Sequence, residues 1–292
     1  MTVDIDVPAL YRRAAINVWV EDQVSKTYLA TVWNDASVQF LVAGGTEGVS
    51  ALTRQAEANQ YPNVFGVVDC DFGETNYGDW QTPNKQFLRF VLPVFELENY
   101  LLDAAGLAAC EVNSNRKSES EIRERIERRA EQLVWWMSCR SVLSELRRAV
   151  LDDFPTHPPN SSVVDVDSAV AAVVGSLWFA QIQRRTATIT EREVRAKIGA
   201  AQLRYQHDLT ADEWTTTFSG KEIFRDVSSY IYAALSHGTE RDVDVARKLA
   251  QHQLSTNTVP PTISELLAAM KQRIGLAQRA PQAHGDGVTT NN

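Results

Sequence analysis

Val64-Phe65-Gly66-Val67-Val68-Asp69-Cys70-Asp71-Phe72-Gly73 is an apolar run that stops at two acids one residue apart. β-Branched and aromatic residues without polar alternation read as a strand buried on both faces, the pattern of a parallel sheet. In such sheets ligands gather beyond the carboxyl ends of the strands, where Asp69 and Asp71 fall. Residues i and i+2 of an extended chain share a face, so the two carboxylates project side by side, roughly 6 to 7 Å apart. Hard oxygen donors at that spacing suit a cation such as Mg²⁺. An Asp-x-Asp at a strand end also arises from turn or helix-cap acids. Its reading depends on what else reaches the same edge.

Upstream, Ala14 to Val20 is a second apolar strand that also ends at an acid, Glu21. Helical spacing over Ser25 to Trp33 puts Tyr28, Leu29, Val32 and Trp33 on a buried face. Val38 to Ala43 is a strand running into a Gly44-Gly45 turn, and a helix follows from Thr46 to about Asn59. Beyond the 64–68 strand come a polar loop, Gly73 to Lys85, and a strand from Phe87 to Leu92. This β-α-β-α-β alternation predicts an α/β fold, a parallel sheet flanked by helices and built from right-handed crossovers.

After Pro93 the chain turns mainly α-helical. A helix opens at Glu96, and Ser118 to Val150 is amphipathic, one helix or two in succession. Phe154 to Pro159 breaks the pattern as a loop. Further helices begin at Asp165 or Asp167, at Thr190 with Glu193 as a capping box, and at Thr210 with Glu213 as another. Val259-Pro260-Pro261-Thr262 introduces a last short helix through Ile274. The expected organisation is a catalytic α/β domain over 1–104, a helical domain over 105–277 and a polar, disordered tail over 278–292.

At 292 residues, 44% hydrophobic and 23% charged, the composition suits one large domain or two smaller ones. Cys70, Cys110 and Cys139 show neither zinc-site spacing nor a disulfide framework, which favours a reducing, cytoplasmic setting. No signal-like leader and no apolar run of bilayer length are seen, so neither secretion nor membrane insertion is expected. A net charge of −8 argues against a broad basic coat for nucleic acid. It leaves room for a nuclease whose metal ions neutralise phosphate inside an acidic site.

Glu21 converges with Asp69 and Asp71 if their strands are neighbours; otherwise Glu21 and Asp22 cap the helix near Ser25. Glu98, on the first turn after the 87–92 strand, either points back to the same edge or sits at the surface, favoured by the helix dipole. Lys221, in Ser219-Gly220-Lys221-Glu222, is a helix-start surface lysine or a cation that returns to the edge and stabilises charge on a transferring phosphate. The arginines between Arg123 and Arg129 alternate with glutamates and read as a solvated face, which leaves Arg184-Arg185 as the better phosphate contact. Gly73 stands where a haloacid-dehalogenase-type phosphatase needs Thr or Val. Gly44-Gly45-Thr46-Glu47-Gly48 lacks the Gly-Lys-Ser/Thr of a P-loop, and the five histidines lack His-Glu-x-x-His spacing.

The strand ending in Glu21, the strand ending in Asp69-x-Asp71, and Glu98-Asn99-Tyr100-Leu101 together resemble the Toprim family, over about residues 14 to 102. They look most like the branch related to OLD-type nucleases, whose members occur as effectors beside ABC-type ATPases in anti-phage systems such as PARIS. That family commonly has Gly after the first Glu and an Asp a few residues later, whereas this chain has Asp22 and Ser25. The resemblance implies a Rossmann-like Toprim sheet, Glu21 as general acid/base, and Asp69 and Asp71 as ligands of Mg²⁺ or Mn²⁺, with Glu98 as a further ligand. It implies a metal-dependent endonuclease acting on RNA, transfer RNA included, or on DNA, toxic when released and controlled by an ABC-type ATPase. The apolar faces of the helical half favour a homodimer. A reading of another class is a non-catalytic Toprim-like module that docks on the ATPase. A primase or topoisomerase role ranks lower, for want of a zinc module and a tyrosine nucleophile.

Overall fold

A computed structural model describes residues 7–70, 72, 78–81, 89–150, 163–176, 179–180, 189–211, 214–232 and 238–277. The chain is α/β, a largely parallel sheet flanked by helices and followed by a helical C-terminal region. Strands β1 (Ile16–Val20), β2 (Val38–Val42), β3 (Val64–Val68), β4 (Asp79–Gln81) and β5 (Arg89–Val91) lie in the order β2-β1-β3-β5-β4. Four are mutually parallel, and only β4 runs antiparallel, on β5. The register sets Val18 between Phe40 and Phe65. β1 and β3 are therefore neighbours, and the acids that end them share one sheet edge. Every position of both strands is buried, as unbroken apolar runs in a parallel sheet require.

β4 falls in the stretch read from sequence as a polar loop. Trp80 explains it: its ring packs edge-on to Phe65 and Phe90, with centroids 5.8 and 5.4 Å away. These aromatic contacts and the ladder to β5 outweigh the polar composition around them. Helix α1 (Val7–Tyr11) was likewise not anticipated. Between β1 and β2 lies α2 (Gln23–Trp33), and between β2 and β3 lies α3 (Thr46–Ala58). The turn into α3 has Gly44 and Gly45 at φ 85° and 137°, a conformation that an L side chain resists.

The helix expected to open at Glu96 is a 3₁₀ helix, Leu97–Leu101, with Glu96 as its N-cap, and α4 (Ala104–Ala109) follows. Next come α5 (Glu119–Val150), α6 (Val166–Val174) and α7 (Glu191–Thr210). Thr190 and Glu193 form their expected capping box. Thr210 does not start a helix. It is the last residue of α7, and its hydroxyl donates back to the Gln206 carbonyl at 2.9 Å. α8 (Gly220–Ile231), α9 (Gly238–Thr256) and α10 (Pro261–Ala277) complete the described chain. The 154–159 loop, Arg184, Arg185 and the 278–292 tail lie outside the described residues.

Alternation along β1 divides the core. Ile16, Val18 and Val20 enter a large apolar cluster that runs on through Leu133 and Met137 of α5 to Leu249 of α9 and Met270 of α10. Trp19 faces the other way, into a smaller cluster with Tyr11, Val49, Val64 and Val68. Polar bonds tie α2 to the far end of the chain: Tyr28 donates to Gln253 Oε1 at 2.9 Å, and Trp33 Nε1 donates to the Ile263 carbonyl at 2.9 Å. Among the described residues, no helix is long and apolar enough to cross a membrane.

Candidate active site

The site forms beyond the carboxyl ends of β1 and β3. Glu21 is the first residue after β1, and its Oε1 accepts two hydrogen bonds, from the Thr46 hydroxyl at 2.8 Å and from the Asp69 amide at 3.0 Å. Thr46 is there because the Gly44-Gly45 turn starts α3 directly above the strand end. Asp69 is 4% exposed. Its Oδ1 accepts from the Leu97 amide at 2.9 Å, which leaves Oδ2 as the oxygen turned toward the site.

Lys221 meets that oxygen. Its Nζ lies 3.0 Å from Asp69 Oδ2 and 3.1 Å from Asp22 Oδ2. The lysine comes back to the sheet edge through a docked turn. Glu96 Oε2 accepts from the Lys221 amide at 2.8 Å and from the Ser219 hydroxyl at 2.7 Å, while Glu96 Oε1 pairs with Arg140 at 3.3 Å. Asn99 accepts from the Glu96 amide at 2.8 Å and donates to the Phe218 carbonyl at 3.2 Å. The approach is so close that a Cβ on Gly220 would meet the Asn99 amide nitrogen at 2.5 Å. Arg140, 4% exposed, lies over the rings of Phe72, Phe95 and Trp136.

Glu98, 2% exposed, has Oε2 buried with no hydrogen-bond partner. It borders a cavity of about 120 Å³ with Asp22, Lys221, Arg225, Thr239 and Asp242, room for roughly four waters or one phosphate group. Lys221 keeps 32% of its side chain exposed, so solvent reaches the centre from this side.

The electrostatics follow from packing several acids around one ammonium. Burial, then the facing Asp69 carboxylate, pushes Glu21 up to about 8 against the pull of Lys221. Burial also raises Asp69, to about 6, with Lys221 opposing and Glu96 and Asp22 adding to the rise. Glu98 is raised well above the usual carboxylate range by burial, with Asp22, Asp69 and Glu96 contributing. For Asp22 and Glu96 burial is outweighed: Lys221 and the Ser25 amide hold Asp22 low, and Arg140 and Lys221 hold Glu96 low. Burial works to lower Lys221, but the surrounding carboxylates, Asp69 first, raise it beyond its ordinary value.

Of the residues singled out from sequence, Glu21, Asp69, Glu98 and Lys221 meet at this edge, and Asp71 lies outside the described residues. Asp22 does cap α2, accepting from the Ser25 amide at 2.9 Å, and it holds Lys221 as well. Glu96 and Arg140 escaped the sequence reading. Arg140 follows Trp136 and Met137 by four and three residues, so a charged group on the apolar stripe of α5 was a legible sign of a buried acid partner. Glu96 carried a weaker one, an N-cap acid with Asn99 three residues on.

The donors present suit a hard divalent ion: all are carboxylate oxygens, and one, Glu98 Oε2, is buried and unpaired. Among the described residues no three of these acids are grouped closely enough to ligate one ion together, and the ammonium of Lys221 lies between Asp22 and Asp69. Comparison of the chain with protein-family models, with curated proteins and with solved structures found no match in any of the three.

Proposed function

We propose that the chain is a Mg²⁺-dependent nuclease of the Toprim type that cleaves phosphodiester bonds in RNA or DNA. One observation carries this reading: Glu21 and Asp69 end adjacent parallel strands, are joined through a carboxylate-to-amide hydrogen bond, and share their edge with Glu98 and Lys221. Asp69, Asp71 and Glu98 are the residues that would hold the ion. When bound, Mg²⁺ or Mn²⁺ acts as a Lewis acid on the phosphodiester and stabilises its developing charge. Glu21 gives or takes the proton at Oε2, the oxygen that neither Thr46 nor the Asp69 amide engages. Lys221 offers an ammonium to the non-bridging phosphate oxygens.

The wider role rests on the family resemblance: an effector of anti-phage defence, cytoplasmic, restrained by an ABC-type ATPase and active as a homodimer. Purified protein incubated with labelled RNA and DNA plus Mg²⁺ tests the chemistry. Glu21→Ala is expected to abolish metal-dependent cleavage with an unchanged circular dichroism spectrum, and full activity of that variant rejects the assignment. A second reading, a non-catalytic module that binds the ATPase, is favoured by the ion pair of Lys221 with Asp22 and Asp69. Such a module binds no Mg²⁺ or Mn²⁺ at millimolar concentration and still captures its partner.

A further inference from the structure

We infer that the Lys221 ammonium is a built-in stand-in for the metal, and that metal entry breaks its contact with Asp69 while its existing pair with Asp22 is kept and positions it for catalysis. The inference rests on the metal-dependent reading above. Its first support is the bonding of Asp69. Oδ1 accepts from the Leu97 amide, so the oxygen that Asp69 turns toward the site is Oδ2, and the ammonium is already there at 3.0 Å. Two cations on one carboxylate oxygen repel strongly in a half-dry site. Metal binding is therefore an exchange, not the filling of a vacant place.

The second support is that the lysine can move while its backbone stays fixed. The Lys221 amide is anchored on Glu96, and the preceding Ser219 is the N-cap of α8. Asp22 is equally fixed, as the N-cap of α2. Only the four-carbon side chain needs to shift, and Asp22 Oδ2 already pairs with Nζ at 3.1 Å. Arg225 and Thr239 border the cavity on the same side, so the displaced ammonium stays where a phosphate can meet it.

Titration calorimetry with Mn²⁺ on the full chain tests the exchange. Lys221→Met removes the competitor, so Mn²⁺ should bind it about tenfold tighter or more, while cleavage is lost. An affinity equal to or weaker than that of the wild type overturns the inference but leaves the metal site standing. Silence of both proteins toward Mn²⁺ overturns the metal reading itself, and the inference with it. A measurement on the unmutated protein guards against a Lys221→Met variant that does not fold. Lysine acylation followed by mass spectrometry should show Lys221 reacting several-fold faster when Mn²⁺ is added, with other lysines unchanged. Unchanged reactivity of Lys221 in protein that binds Mn²⁺ overturns the exchange.

Discussion

Glu21 shows how one buried acid links stability to pH. Its folded value of about 8 lies above the ordinary 4.5, so the folded state holds the proton more tightly than the unfolded chain does. Such a group favours folding fully below pH 4.5 and loses that contribution as pH rises toward 8. In metal-free protein, Glu21→Gln should therefore melt about 2 to 5 °C higher than wild type at pH 8, and the gain should vanish at pH 5. Glutamine keeps the oxygen that accepts from Thr46 and the Asp69 amide, so a loss of stability at pH 8 would argue against this account. Glu21 and Asp69 were legible in the sequence because each ends an apolar run. Glu96 was not, since an acid at a helix start is usually a solvated cap. Here the partner that makes it different, Arg140, lies 44 residues away and is buried with it.

Among the elements, the contact of α8 with the 3₁₀ helix Leu97–Leu101 sets the position of Lys221. Gly220→Ala isolates that contact. Alanine in place of glycine near a helix start gains up to about 1 kcal/mol in helix propensity. The added Cβ would sit 2.5 Å from the Asn99 amide nitrogen, and a backbone atom cannot step aside as a side-chain tip can. Overpacking of this kind costs about 1–3 kcal/mol, so the clash wins. The variant should melt lower than wild type and lose most of its cleavage activity, with Lys221 itself intact. Equal melting temperature and activity would show that the approach is looser than described. The strands and helices from Ile16 to Ala58 were readable because burial and period agree in them. β4 was not, because a three-residue strand is held by contacts of Trp80 rather than by a pattern in its own residues. The same limit applies to Thr210: a hydroxyl residue followed by an acid marks a helix start only if the chain before it is not already helical, and α7 is.

For the whole molecule, the continuous apolar cluster from β1 to α10 bears on cooperativity. Tyr28 and Trp33, fully or nearly fully buried on α2, send their polar atoms to Gln253 and Ile263. A fragment of residues 1–104 would leave Tyr28 without Gln253 and Trp33 without Ile263, and would strip α9 from the face of α2 on which it packs. Expressed alone, it is expected to lack a cooperative melt, and the full chain to unfold in a single calorimetric transition. A sharp transition in the fragment would show that the sheet half is independent. The sequence could suggest a division at residue 104, where period and composition change, but it held no sign of which helical face closes over α2, because such contacts join residues more than two hundred positions apart. The same separation orders events during synthesis. A ribosome releases Glu21, Asp22, Asp69, Glu96 and Glu98 long before it adds Lys221. A nascent or prematurely terminated chain therefore carries the carboxylates without the ammonium or the Ser219-Gly220-Lys221 turn that bonds to Glu96. The centre described above can be complete only in a chain translated past Lys221.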